Sequence, residues 1–138
     1  MIEFKDIHKK YGKLEVLKGV NFTIKDGGII AILGPNGSGK TTSMKSFLGM
    51  VVPTKGDILF NGKSIKGQWA YREQISYLPQ IANFPSNLKV KELISMIKNI
   101  KKVPCNDQEL IELFGLQKDL NKSLGNLSGG TKQKVNLV

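Results

Sequence analysis

A glycine-rich stretch, GPNGSGKT at residues 34–41, constrains this chain more than any other feature of its sequence. The continuous apolar run IIAIL precedes it at residues 29–33, and apolar residues recur at helical spacing over residues 40–50. Five apolar residues bounded by glycines predict a strand that is buried on both faces, as in a parallel sheet. The sequence therefore predicts a strand, a glycine loop and a helix in succession, which is typical of an α/β fold.

The residue types of this loop suit the binding of phosphate groups. Glycines let the backbone wrap closely with its N–H groups turned inward, and the helix N-terminus adds its partial positive charge. Lys40 is placed to reach the β- and γ-phosphates, the Thr41 hydroxyl to ligate Mg²⁺, and Thr42 to donate to the α-phosphate. The predicted nucleotide-binding residues are Gly34, Pro35, Asn36, Gly37, Ser38, Gly39, Lys40, Thr41 and Thr42.

The remaining patterns divide the chain into a strand-rich part and a helical part. Residues 2–5 and 20–24 alternate as strands do, and Asn61-Gly62 predicts a type I′ hairpin. Residues 75–80 form another short strand candidate, and Trp69 and Tyr71 are expected to pack the region before it. Helical spacing begins near residue 88 and breaks at Pro104. We therefore expect a nucleotide-binding β/α core at residues 1–81 and a helical subdomain at residues 82–138.

The composition of the 138 residues fits one globular domain of ordinary size. No apolar run reaches the roughly 20 residues of a membrane span, no secretory leader precedes the first residues, and the single cysteine, Cys105, allows no intramolecular disulfide. The net charge of +10 comes from lysines scattered along the chain, with Arg72 as its one arginine. This dispersed pattern favours solvated lysines over a nucleic-acid surface, so a cytosolic protein without a nucleic-acid partner is expected.

A second glycine turn, LSGG at residues 127–130, precedes the helix-forming run TKQK. Ser128 is a favourable N-cap, the two glycines expose backbone N–H groups, and the helix dipole favours an anion there. The turn is thus a second candidate phosphate-binding surface, without a lysine of its own. LSGG followed by TKQK resembles the signature motif of ABC-type ATPases.

This resemblance implies roles for further residues. In the family, the signature turn closes over the γ-phosphate held by a partner subunit in a head-to-tail dimer. The aromatic residue that stacks on adenine is matched by Tyr11, and the Q-loop glutamine, which contacts Mg²⁺ and the attacking water, by Gln80 in YLPQ. The signature residues of this sequence are Leu127, Ser128, Gly129 and Gly130.

The resemblance also implies the fold and what the sequence lacks. The family has a P-loop NTPase core with an N-terminal antiparallel β portion and a helical subdomain. Its pattern continues past the signature into an apolar strand ending in Asp-Glu and to a later histidine, and neither occurs before Val138. We therefore expect the N-terminal part of an ATPase that is inactive by itself. Its sheet would be incomplete, because the missing strands lie between the P-loop strand and the Q-loop strand.

The function implied is that of an ATP-binding subunit of an ABC transporter. It would use ATP and Mg²⁺, dimerise with a second ATPase subunit, and drive an integral membrane permease from the cytoplasmic face of the membrane. Residues 95–104 are expected to contribute to the choice of permease. Two alternatives remain open at this point: a soluble ABC-type ATPase that acts on the ribosome or DNA, and a nucleotide-binding module that does not hydrolyse ATP.

Overall fold

The computed structural model describes residues 1–79, 84–101 and 106–138. The chain divides into two compact units, Met1–Ser76 and Tyr77–Val138. We call them the strand unit and the helical unit, and each is described by itself.

The strand unit contains a four-stranded antiparallel sheet in the order β2-β1-β3-β4. One helix, α1, follows the glycine loop, and a 3₁₀ turn at Ala70–Gln74 follows the sheet. The elements in chain order are β1 (Ile2–Tyr11), β2 (Leu14–Ile24), α1 (Lys40–Phe47), β3 (Lys55–Phe60) and β4 (Lys63–Ser64).

A bulge in β1 sets which side chains form the core of this unit. Asp6 has a φ of 49°, and the pairing of β1 with both neighbours shifts register beside it. The extra residue lets Phe4 and Ile7, three positions apart, both be buried, although strict alternation would place them on opposite faces. Leu17 and Ile58 complete the buried cluster.

The hairpin predicted at Asn61-Gly62 is confirmed. β3 and β4 pair with Phe60 opposite Lys63, so the two central residues form the turn. Both have positive φ angles, 50° for Asn61 and 77° for Gly62, as a type I′ turn requires.

The buried strand predicted at residues 29–33 is wrong for the structure. The segment forms no strand, and Leu33 is 88% exposed. A central strand of a parallel sheet is stabilised by a ladder on each side and by cover on both faces, and the described residues supply neither here. The expected incompleteness of the sheet therefore extends to the loss of this strand. Residues 75–79 likewise form no strand, and Gln80 lies outside the described residues.

The expectation for the two aromatic residues near residue 70 is half right. Tyr71 is buried, whereas Trp69 is 74% exposed. The ring of Tyr71 packs on Phe47 and Phe60, which belong to α1 and β3. Trp69, the residue before the 3₁₀ turn, is turned to solvent instead.

Among its described residues, the helical unit contains three α-helices, α2 (Val90–Lys101), α3 (Asp107–Leu113) and α4 (Gly129–Leu137). Two 3₁₀ turns, Gln117–Asp119 and Leu124–Asn126, connect α3 to α4. Within the described ranges, no helix is long and apolar enough to cross a membrane. The predicted break at Pro104 falls outside those ranges. The hydrophobic core of the described part of this unit consists of Val90, Leu93, Ile94, Leu116, Leu124, Leu127 and Val135.

Candidate functional site

The glycine loop joins α1 through a residue that must be glycine. Gly39 has a φ of 90°, in the left-handed region that L side chains rarely adopt. A Cβ built there would lie 2.6 Å from Cδ2 of Leu17 and 3.1 Å from the carbonyl oxygen of Val16. The close approach of the loop to β2 therefore fixes where α1 begins.

Lys40 places its ammonium group on the loop itself. Its Nζ donates to the carbonyl oxygens of Gly34 and Pro35 at 2.7 and 2.8 Å. Residues 34–38 are all exposed. An anion that approaches this exposed loop therefore meets a full positive charge, and phosphate oxygens are better partners for an ammonium group than neutral carbonyls are.

The N-terminus of α1 adds to this positive field. Its first turn carries no acidic residue, and Gly39 provides no side-chain cap. The first N–H groups of the helix therefore lack a capping side chain in the described structure, and they favour an anion. The Lys40 ammonium group and the uncapped N-terminus of α1 are therefore the two features that would attract a phosphate group to this loop.

Two residues are candidate Mg²⁺ ligands, Thr41 and Gln80, and the structure describes the first of them. Thr41 is exposed in the first turn of α1, and a hydroxyl oxygen is a hard donor of the type that Mg²⁺ prefers. The described residues contain no cluster of histidine, cysteine or carboxylate side chains that could hold a metal. The donor set fits an ion that takes most of its ligands from phosphate oxygens and water, as Mg²⁺ does in nucleotide sites.

Tyr11 lies at the end of β1 with 48% of its surface exposed. The ammonium group of Lys9 lies 5.0 Å from the centroid of its ring and also donates to the carbonyl oxygen of Val52 at 2.8 Å. The sequence reasoning missed Lys9. Its position two residues before Tyr11 on a strand, which places both on one face, is the signal that could have found it. The structure thus presents an aromatic ring with a cation beside it.

The signature turn starts α4 with the predicted N-cap, which is confirmed. Ser128 has an extended backbone, and its Oγ accepts a hydrogen bond from the backbone N–H of Thr131 at 3.2 Å. The same Oγ lies 2.9 Å from Oγ1 of Thr131. Leu127, immediately before the cap, is buried in the core of the helical unit and anchors the turn.

Nothing in the described part of the helical unit requires glycine at residues 129 and 130. Neither has a positive φ, and a Cβ at either would meet no described atom within 4 Å. Both are exposed at the N-terminus of α4. The surface above the turn is therefore open for close approach to the backbone.

The predicted site residues fall into the two units. The loop and Tyr11 belong to the strand unit, the signature turn belongs to the helical unit, and Gln80 lies outside the described residues. An α/β fold with a glycine-rich loop ahead of its first helix is that of the P-loop nucleotide-binding class. A family model for ABC transporters matches residues 17–138, and the chain belongs to this family.

Curated relatives support the assignment to this family. The chain is 34% identical to the spermidine/putrescine import ATP-binding protein PotA of Clostridium novyi (strain NT), over 98% of this chain and 40% of the relative. It is 33% identical to the putative hemin import ATP-binding protein HrtA of Staphylococcus epidermidis (strain RP62A), over 97% of this chain and 67% of the relative. It is 30% identical to the Nod factor export ATP-binding protein I of Burkholderia orbicola (strain AU 1054), over 99% and 47%.

Solved structures support the same family. An ATP-binding subunit of an ABC transporter superposes with a TM-score of 0.83 at 28% identity, over 99% of this chain and 59% of that one. A bacterial ABC transporter cassette solved as a dimer has a TM-score of 0.82 at 26% identity, over 99% and 67%. The chain therefore has the cassette fold, while it spans 40% to 47% of the length of several of its curated relatives.

Proposed function

We propose that this chain is part of the ATP-binding subunit of an ABC transporter and that it binds the triphosphate of ATP in the loop at residues 34–41. The observation that carries the proposal is the Lys40 ammonium group. It lies on the carbonyl oxygens of an exposed loop, ahead of a helix whose first turn has no acidic residue. Membership in the ABC transporter family supports a nucleotide as the anion that binds to this loop.

Each part of the site then has a role. The loop residues and Thr42 hold the phosphates, and the exposed ring of Tyr11 stacks on the adenine. Thr41 and Gln80 would hold Mg²⁺, which neutralises negative charge on the β- and γ-phosphate oxygens. Gln80 would also orient the attacking water. The chain's own contribution is to bind and orient the nucleotide.

The signature turn is proposed to act on a different nucleotide. Residues 127–130 would close over the γ-phosphate bound by a second ATPase subunit in a head-to-tail dimer. The open surface above Gly129 and Gly130 supports this role, because backbone N–H groups reach a phosphate only where no side chain intervenes. Residues 1–138 by themselves are proposed not to hydrolyse ATP, since the sequence contains no Asp-Glu pair, whose Asp would orient Mg²⁺ and whose Glu would polarise the attacking water.

The second partner is proposed to be an integral membrane permease, which would hold the subunit at the cytoplasmic face of the membrane. The relatives include import proteins and an export protein, with cargoes as different as polyamines, hemin and Nod factor. The cassette that they share with this chain is therefore compatible with transport in either direction. We propose transport as the function and assign no cargo.

Replacing the loop lysine tests the nucleotide site. In the intact gene product, Lys40→Ala should weaken ATP binding by about 1.5–3 kcal/mol or more, the range for hydrogen bonds to charged groups. Isothermal titration calorimetry measures the change. Lys45→Ala is the matched control, because Lys45 lies in the last turn of the same helix and should not affect affinity. Equal affinities for the wild type and Lys40→Ala would contradict the proposed role.

A further inference from the structure

Helix α1 carries few apolar side chains that could pack against the rest of the strand unit. Its eight residues, KTTSMKSF, include two apolar ones, Met44 and Phe47, and Met44 is 47% exposed. The usual apolar stripe that fixes a surface helix is therefore missing. Gly39 against β2 and Phe47 at the C-terminus anchor the two ends of α1, and the small side chains of Ser43 and Ser46 are buried between them.

The last carbonyl groups of α1 show how its C-terminal end is held. Met44, Lys45 and Ser46 each offer their carbonyl oxygen to a backbone N–H within the next six residues. The carbonyl oxygen of Phe47 accepts instead from the hydroxyl of Tyr71, at 2.7 Å. The helix therefore ends with a satisfied set of carbonyls, and a side chain from 24 residues further on supplies the last bond.

The ring of Tyr71 is fixed by packing. Tyr71, Phe47 and Phe60 form a trio with ring centroids 5.9 to 6.1 Å apart, so α1, β3 and the 3₁₀ turn meet there. These separations are typical of favourable aromatic pairs. Tyr71 is buried, and its hydroxyl is thereby aimed at the end of α1.

Arg72 covers the same end of the helix. Its guanidinium lies 5.7 Å from the Tyr71 ring centroid, in cation–π range. A Cβ at Gly49, two residues past the end of α1, would overlap that guanidinium, and Gly49 has a φ of 70°. The positive charge therefore sits at the negative end of the helix dipole, where it is favourable.

We propose that Tyr71 and Arg72 are positioning residues for the nucleotide site. By holding the C-terminus of α1, they set the orientation of the helix whose N-terminus carries the phosphate-binding loop. Eight residues at 1.5 Å each span about 12 Å, so a displacement of the C-terminal end of this short helix changes the direction of its axis and of the N–H groups at its N-terminus. This inference rests on the proposed function of the loop and adds two residues outside it.

The test removes one hydroxyl and keeps the ring. In the intact gene product, Tyr71→Phe should weaken the binding of ADP about fivefold, equivalent to about 1 kcal/mol, as measured by calorimetry well below the unfolding temperature. Tyr77→Phe, the same chemical change in the helical unit, should leave affinity unchanged. Arg72→Lys should also weaken binding, because it keeps the charge and loses the planar group over Tyr71.

A second control separates positioning from general destabilisation. Ile7→Val removes one methylene from the buried core of the strand unit and costs about 0.5–1.5 kcal/mol of stability, while it leaves the side chains of Tyr71 and Arg72 unchanged. If affinity falls in Tyr71→Phe and not in Ile7→Val, the positioning role is supported. If Tyr71→Phe binds ADP as the wild type does while Lys40→Ala binds it more weakly, the positioning role is overturned and the nucleotide site stands. If Lys40→Ala also binds normally, both proposals fail.

Discussion

The chain contains two glycine turns, each of which opens a helix, and they differ in why glycine is there. At Gly39 the chain itself demands glycine, since φ is 90° and a Cβ would press on Leu17. At Gly129 and Gly130 the backbone is compatible with any residue, and the space above it is open among the described atoms. The first turn is thus explained by its own fold, and the second is not.

This difference bears on what each turn binds. The loop before α1 brings its own cation, Lys40, and its own close packing, so it is suited to hold a ligand within one chain. The turn before α4 has a serine cap and exposed backbone, at a cost of up to about 1 kcal/mol per glycine in helix propensity. A cost without a local benefit favours a ligand from outside. The comparison therefore supports a phosphate presented by a second subunit.

The largest expected effect comes from blocking the open turn. In the intact gene product, Ser128→Arg should abolish ATP-induced dimerisation and turnover, because a bulky cation would occupy the surface where backbone donors approach the nucleotide. ATP binding by the monomer should persist, since the Lys40 loop is unchanged. Analytical ultracentrifugation with and without ATP, together with calorimetry, measures both.

Ser128→Ala is the control for this variant. It removes the cap and should cost about 1 kcal/mol of stability, while it keeps the surface open. Dimerisation that survives Ser128→Arg would show that the turn does not face a partner's nucleotide and would remove the main distinction between the two turns.

Alanine at the two turns tests the comparison through folding. Gly39→Ala should lower the free energy of unfolding by about 2–5 kcal/mol, from the left-handed backbone and the overlap with Leu17 together. Gly129→Ala should leave it unchanged or raise it by less than about 1 kcal/mol, because alanine favours the helix. Urea unfolding of the two variants gives both values. Similar losses at the two positions would contradict the difference drawn here.

What the sequence predicts correctly is set by short-range chemistry. The Asn61-Gly62 hairpin follows from two adjacent residues that tolerate a positive φ. The Ser128 cap follows from a hydroxyl that accepts a hydrogen bond from the backbone N–H three residues later. The P-loop and signature motifs are also contiguous, and they led to the correct family.

The errors arise where the outcome depends on distant parts of the chain. Residues 29–33 have the composition of a buried strand, but a strand forms only when neighbours pair with it, and the described residues supply none. The bulge at Asp6 depends on how β1 pairs with its two neighbouring strands, which local pattern does not reveal. The bond from Tyr71 to Phe47 crosses 24 residues and has no motif.

The next effect concerns the adenine end of the site in the strand unit. Tyr11→Ala should weaken ATP binding by about 1–3 kcal/mol, the range for base stacking on an aromatic ring, and Tyr11→Phe should be nearly neutral, since the ring face makes the contact. Calorimetry with ATP, in the intact gene product, distinguishes the two. Equal losses in both variants would indicate a hydroxyl hydrogen bond in place of stacking. Both should leave the signature turn's role in dimerisation intact at saturating ATP.

The smallest expected effect concerns the stability of the strand unit. It should not change the structure of either glycine turn. The Asp6 carboxylate is hydrogen-bonded to the side chain of Lys55 and, with a smaller effect, to that of His8. These contacts hold the pKa of Asp6 below its ordinary value of 3.8. The same contact raises the pKa of Lys55 above 10.5. A carboxyl with a lowered folded pKa contributes stability above its ordinary pKa and loses it as the pH falls through the folded value. The lysine contribution is present below 10.5 and is lost as the pH rises through the raised value.

Asp6→Asn should therefore lower the melting temperature by a small amount between about pH 4 and pH 10. The gap to the wild type should close in more acidic solution, where the wild-type carboxyl is protonated as well. Asparagine suits the φ of 49° at this position, so the backbone of the bulge is retained. Lys55→Gln should reproduce most of the loss at neutral pH, because Lys55 is the main partner of the carboxylate. Melting curves across this pH range test the window, and a gap that stays constant down to pH 2 would assign the effect to the bulge itself. Because Asp6 lies in neither glycine turn, ATP affinity and ATP-induced dimerisation should not change. This variant thus separates the stability of the strand unit from the two turns that are proposed to bind nucleotide.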